Sequence, residues 1–261
     1  MKKLYATGTL LLIFIATWWL SALPINTTSA AIPDQTLLKL SEKLLYAVKT
    51  ESATDSLEKE LASLKMDNVI TGLSNDAARK TFWINIYNSY YQVLAIREKK
   101  VKPKIFTDKS ILVAGHSFSL DDIEHGILRK YRWKYSMGYL PRFLPSKLIK
   151  RLAVSRIDYR IHFTLNCGAK SCPPIAFYKY ENLEQQLAIA TKSFLKSETD
   201  VDTTGKVLHT SKILQWFKGD FGGKRKIRSL LSTVFDRDFS GYTVKFKDYD
   251  WDAQLNNYGF E

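Results

Sequence analysis

The stretch from Ser74 to Glu98 constrains the fold most, because it is the longest segment with a helical apolar period. Phe82, Ile86, Tyr90, Val93 and Leu94 recur on one stripe, and Ser74, just after Gly72, is placed to cap the start. Within it runs Phe82-Trp-Ile-Asn-Ile-Tyr-Asn-Ser-Tyr-Tyr91. Asn85 and Asn88 are three residues apart and share a helix face. Asparagine is a mediocre helix former, so two of them among aromatics read as buried amides that brace loops or orient a polar group. A pure packing role fits the same residues.

Shorter segments surround this helix. Asp34 to Val48, Ser56 to Met66, Asn182 to Lys196 and Lys224 to Val234 carry helical spacing, and short helices are expected over Lys147 to Leu152 and Ser211 to Phe217. Ile111 to Leu120 changes to a hairpin period around Ala114-Gly115-His116. Ser119 then opens another helix that runs to about Arg129, with Asp121 and Asp122 at its positive end. Strands are expected over Arg160 to Leu165, Lys206 to His209 and Tyr242 to Phe246. Tyr131 to Ser155 is basic, aromatic and interrupted by Pro141 and Pro145, an irregular excursion. An apolar fraction of 45% and an aromatic fraction of 13% suit a packed globule. The fold class expected is α+β: one domain, with helices packed around a small, mostly antiparallel sheet.

The N-terminus points to export. Lys2 and Lys3 precede an uncharged run from Leu4 to Leu23, and small residues close the segment at Ala30-Ala31. This is the pattern of a cleaved signal peptide, or of an N-terminal anchor, over residues 1–31, with the globular domain over 32–261. Export would leave a net charge of +11 from the +13 of the whole chain once Lys2 and Lys3 are removed. The location expected is periplasmic or extracellular. There the cationic runs find anionic lipid headgroups or wall polymers as partners rather than nucleic acid.

Two cysteines are too few for a disulfide scaffold or a multi-cysteine zinc module. Four residues separate Cys167 from Cys172 in Cys-Gly-Ala-Lys-Ser-Cys-Pro-Pro174. Two readings stand side by side. In one, Cys167 is a nucleophile, with His162 as base, Lys170 as a nearby positive charge and loop N–H groups as an oxyanion cradle. In the other, the cysteines bridge outside the cytoplasm and rigidify the loop, adding about 2 kcal/mol through so short a closure. A second candidate pair is Glu124 and His125. Adjacent helix positions point about 100° apart, so one is expected to line a site and the other to face solvent. His116, His125, His162 and His209 show no helix-borne zinc spacing. No metal and no cofactor is expected.

Four segments together resemble one family: Phe82-Trp-Ile-Asn-Ile-Tyr-Asn88, Ser119-Leu-Asp-Asp-Ile-Glu-His-Gly-Ile-Leu-Arg129, Arg160 to Pro174, and Tyr249-Asp-Trp-Asp-Ala-Gln-Leu-Asn256. The resemblance is to the domain of unknown function 547 family, over roughly residues 75–256. It implies a distant similarity to papain-like or transglutaminase-like cysteine hydrolases. It places the family motif on Asn85, Asn88, Glu124, His125, His162, Cys167 and Cys172. The function expected is a cysteine-dependent hydrolase of amide or ester bonds in the cell envelope. Cys167 would attack, His162 or His125 would serve as base, and Glu124 or Asn88 would orient. The alternative is a non-catalytic envelope-binding or structural domain with a Cys167–Cys172 bridge.

Overall fold

A computed structural model describes residues 32–259. The expected leader or anchor over residues 1–31 lies outside them. Helix α1 (Gln35–Lys49) starts where the Asp34 carboxylate accepts the Thr36 N–H at 2.8 Å. Its leucines 37, 38, 40, 44 and 45 are buried, and they pack along the central helix. Helix α2 (Asp55–Ser63) packs against α1, and α3 (Met66–Gly72) ends where the Gly72 carbonyl accepts the Asp34 N–H at 2.9 Å.

The central helix α4 (Asp76–Gln92) is the expected long one, but its cap is Asn75, not Ser74. The Asn75 amide oxygen accepts the Ala78 N–H at 2.9 Å. Every residue from Lys80 to Gln92 is buried, so α4 is covered on all sides rather than along one stripe. Its polar side chains are accordingly paired. Lys80 meets Asp158 at 2.7 Å. Asn85 donates to the Tyr178 carbonyl at 2.8 Å and accepts the Tyr178 N–H at 3.1 Å. Asn88 donates to the Thr164 carbonyl and accepts the Asn166 N–H, both at 2.9 Å. A π-turn, Val93–Arg97, ends the helix, and a short helix α5 (Lys104–Thr107) follows.

Strands β1 (Ile111–Val113) and β2 (His116–Phe118) pair antiparallel, with Val113 opposite His116. Ala114 and Gly115 both take positive φ, 50° and 74°, which the tight two-residue turn requires. The following helix is wound as a π-helix, Asp122–Leu128. Ser119 and Asp122 cap it reciprocally: the Asp122 N–H donates to Ser119 Oγ at 3.0 Å, and the Ser119 N–H donates to Asp122 at 3.1 Å. Helix α6 (Lys147–Leu152) lies against it.

A second core forms around helix α7 (Leu183–Glu198), the short α8 (Ile213–Trp216) and α9 (Lys224–Phe235). Strands β3 (Asp200–Asp202), β4 (Val207–Thr210) and β5 (Thr243–Phe246) form a sheet in that order, β3–β4 antiparallel and β4–β5 parallel. The fold is thus one α+β domain with small antiparallel and mixed sheets. No helix among the described residues is long and apolar enough to cross a membrane.

The strand expected over Arg160 to Leu165 is instead a 3-10 helix, Tyr159–Phe163. Local side chains satisfy the backbone there. Asp158 accepts the Arg160 N–H at 3.1 Å, and the Thr164 hydroxyl bonds the Ile161 carbonyl at 2.8 Å. Asp and Thr bonds of this kind compete with a sheet ladder, and they override the alternating pattern.

The Asn88 brace yields a stability prediction. Asn88→Ala leaves the buried Thr164 carbonyl and Asn166 N–H without partners, and each such loss costs about 1–3 kcal/mol. Denaturant unfolding should show a destabilisation of about 2–4 kcal/mol. A change under about 0.5 kcal/mol would show that the brace is dispensable.

Candidate functional site

A pocket of about 200 Å³ opens where the two cores meet. The π-helix supplies Glu124 and His125 and its N-cap residue Asp121, the 3-10 helix supplies His162, and the loop after it supplies Cys167. Tyr87 of α4 lies beside Glu124. Trp216 and Phe217, together with Tyr249 and Trp251 near the C-terminus, form an aromatic wall. Trp216 and Trp251 stack with ring centroids 5.6 Å apart, and Tyr249 lies 4.6 Å from Trp251.

Glu124 and His125 both line this pocket, with side chains 14% and 16% exposed. This corrects the expectation that one would face solvent. The segment that carries them is a π-helix, whose N–H groups bond five residues back, as Arg129 does to Glu124. Such segments recur at functional sites.

Beneath the pocket lies a buried charge network. Asp220 Oδ2 accepts from Arg129 Nε at 2.6 Å and from His162 Nε2 at 2.9 Å, and none of these three side chains is exposed. Arg129 Nη1 also lies 2.7 Å from His125 Nδ1. Arginine only donates, so His125 accepts at Nδ1 and carries its proton on Nε2, which faces Asp121 at 3.5 Å. His162 must donate from Nε2 to the carboxylate, which leaves its buried Nδ1 without a partner. The His162 ring stacks on Phe217 at 3.9 Å, and the Arg129 guanidinium lies 4.4 Å from that same ring.

These contacts set the protonation states. Burial pushes Glu124 up to about 7; Arg129 opposes the shift and Asp121 adds to it. Burial also lowers His162 to about 4 despite its bond to Asp220. Burial, then the positive charge of Arg129, holds His125 well below the usual histidine range. Both histidines are therefore neutral near pH 7. Asp220 pays for burial too, but the bonds from His162 and Arg129 keep its carboxyl below the ordinary value.

The two cysteines form a disulfide, and neither is free. The nucleophile reading of Cys167 is corrected accordingly: the bridged sulfur has no thiolate to offer. The Cys167 N–H donates to Cys172 Sγ at 3.0 Å, and the Tyr249 hydroxyl lies 3.1 Å from each sulfur. Gly168, at φ +68°, is required here, because a Cβ would sit 2.5 Å from the Tyr91 ring. Lys170 points elsewhere, to Asp252 at 2.8 Å on the surface. Asn85 and Asn88 are engaged by backbone groups and do not line the pocket. Among the described residues, no three His, Cys, Asp or Glu side chains converge to hold a metal ion.

Asp220 is marked in the sequence only by Gly219, Gly222 and Gly223 around it, a sign of a special loop. Arg129 stands out in the sequence only as a helix end. Trp251 and Tyr249 stood in the fourth motif without an assigned role. The backbone of residues 250–254 straps the cystine loop, with the Lys170 N–H bonding the Asp252 carbonyl and the Gln254 N–H the Gly168 carbonyl, both at 2.9 Å. All four motifs thus converge on one region.

Residues 70–195 match a family described as "Protein of unknown function, DUF547". The resemblance read from the motifs holds over the first three of them, while Tyr249–Asn256 lies beyond the matched span. Neither the curated proteins nor the solved structures contain a match to the chain.

The raised Glu124 has a stability signature. Its folded value, about 7, lies above the ordinary 4.5, so its contribution is full below 4.5 and is lost as pH rises through 7. Glu124→Gln removes that titration while keeping the shape. Between pH 4.5 and about pH 8, wild type should lose about 3 kcal/mol relative to the variant. A pH-independent difference in unfolding free energy would contradict the burial of this carboxyl.

Proposed function

We propose that the protein is an exported cell-envelope hydrolase of amide or ester bonds in which Glu124, not a cysteine, moves the proton. One observation carries this reading: a carboxyl held near 7 inside a small aromatic pocket. Such a group is both proton acceptor and donor at neutral pH, which general acid–base catalysis favours. The Glu124 carboxylate takes a proton from water as the water oxygen bonds to the substrate carbonyl carbon. It then returns the proton to the leaving nitrogen or oxygen as that bond breaks.

The surroundings support these roles. The Tyr87 hydroxyl, 3.4 Å from Glu124, stays protonated because burial and then the Glu124 charge raise it. Its single O–H is directed at Glu124, where it orients the carboxylate. Trp216, Trp251 and Tyr249 present flat apolar faces to the rest of the substrate. Arg129 and Asp220 act as positioning residues through His125 and His162. The uncharged run after Lys2 and Lys3 and the Cys167–Cys172 bridge both suit an oxidising compartment outside the cytoplasm. The same bridge, with the cationic surface, supports the second reading, an envelope-binding domain without turnover.

Hydrolysis of a panel of aryl esters and aryl amides separates these readings. Glu124→Gln should lower kcat by about 10²–10⁴-fold. The wild-type kcat/KM should rise with pH through about 7, since the carboxylate is the form that accepts the proton. A Cys167→Ser, Cys172→Ser double variant should keep its activity wherever it remains folded. Full activity in Glu124→Gln would sink the proposal. Its loss in a folded double-serine variant would return the chemistry to sulfur, and turnover of none of the compounds would favour the binding domain.

A further inference from the structure

We infer that the finger formed by residues 131–145 docks the protein on the surface of an anionic lipid bilayer. From residue 125 to residue 157 the chain has no Asp or Glu and nine Lys or Arg. Interleaved with these cations are apolar side chains that the fold leaves in water. Phe143 is 89% exposed and Leu144 77%, and Trp133, Tyr135, Tyr139 and Leu140 are exposed as well. Elsewhere, exposed large apolar residues are scattered singly along the described chain, which is ordinary for a protein surface.

The finger is a built element. Arg132 bridges antiparallel to Pro141, the Trp133 N–H donates to the Leu140 carbonyl at 3.0 Å, and the Arg142 N–H donates to the Tyr131 carbonyl at 2.7 Å. Its tip is fastened to the body, where the Gly219 N–H donates to the Met137 carbonyl at 2.7 Å. Gly138 has no Cβ to clash with the Asp220 carboxylate behind it. Aromatic and cationic side chains share one surface: Trp133, Tyr135 and Leu144 line a cleft of about 590 Å³ together with Arg132, Lys134 and Arg142.

Charge complementarity and apolar exposure together select the occupant. Among the described residues, Arg132, Arg142, Lys147 and Lys150 have no carboxylate within ion-pair distance, whereas Lys134 is matched by Asp121 and Arg151 by Asp67. An anionic wall polymer would neutralise the free cations but leave Phe143 and Leu144 in water. A bilayer interface takes both: headgroups meet Lys and Arg, and aromatic and aliphatic side chains enter the acyl boundary. Asp121 and His125 line both this cleft and the pocket above the charge network, so the docked face adjoins the candidate site.

Hydrogen exchange on the full chain tests this locally, independent of any binding through the N-terminal segment. Amides of residues 131–146 should gain protection on vesicles of phosphatidylcholine with phosphatidylglycerol, and not on phosphatidylcholine alone. That protection should fade with added salt. Arg142→Gln and Lys147→Gln should each weaken it about fivefold. Phe143→Ser with Leu144→Ser should weaken it further, and at such exposed positions the fold is kept, as circular dichroism would show. No protection on anionic vesicles overturns the inference, as does equal protection on neutral ones. Protection unaffected by the apolar double variant also overturns it, and assigns the cations to a polymer instead.

Discussion

The structure depends on one buried contact, the ion pair of Arg129 with Asp220. The two side chains lie 2.6 Å apart with no solvent exposure. Arg129 ends the π-helix of the first core, and Asp220 stands in the glycine-rich loop between α8 and α9 of the second. A buried pair of this kind adds little net stability over an apolar contact, yet removal of one partner strands a charge and costs about 3–5 kcal/mol. Its value here is positional: it fixes how the two cores meet, and the pocket lies at that junction.

The protonation pattern is set by burial around this pair. Burial first, and then the positive charge of Arg129, which donates to His125, keeps that imidazole neutral. Asp220 keeps its charge between Arg129 and His162, and His162 stays neutral because solvent cannot reach it. Glu124 has no comparably direct partner. Its closest contact is a long bond from Tyr87, so burial dominates and its carboxyl rises. Two carboxyl groups in one region thus have opposite tendencies, the arrangement that divides acid–base roles in a site.

Much of the fold was legible in local pattern. The start of α1 at Asp34, the Ala114-Gly115 turn and the helix Lys147–Leu152 each rest on a cap, a turn residue or an apolar period read over a few positions. Arg160 to Leu165 misled for the same reason. Its alternation is real, but no partner strand exists for it among the described residues, and Asp158 and Thr164 satisfy its backbone locally. The site was legible in its residues more than in its roles. Glu124, His125, His162 and Cys167 were all singled out and all line the pocket. Asp220 escaped notice because nothing near it in sequence shows what it pairs with.

The sequence by itself determined the longer helices, the hairpin, the pairing options of two nearby cysteines and the cationic, acid-free stretch around the finger. These depend on residues a few positions apart, or on composition alone. Only the tertiary structure decided that the cysteines are bridged, that Glu124 and His125 share a pocket, and that both histidines are neutral. Those outcomes rest on desolvation and on partners distant in the chain, Asp220 standing 58 residues from His162 and 91 from Arg129. A local pattern carries no information about which distant group will exclude water from a side chain, and that exclusion sets the chemistry here.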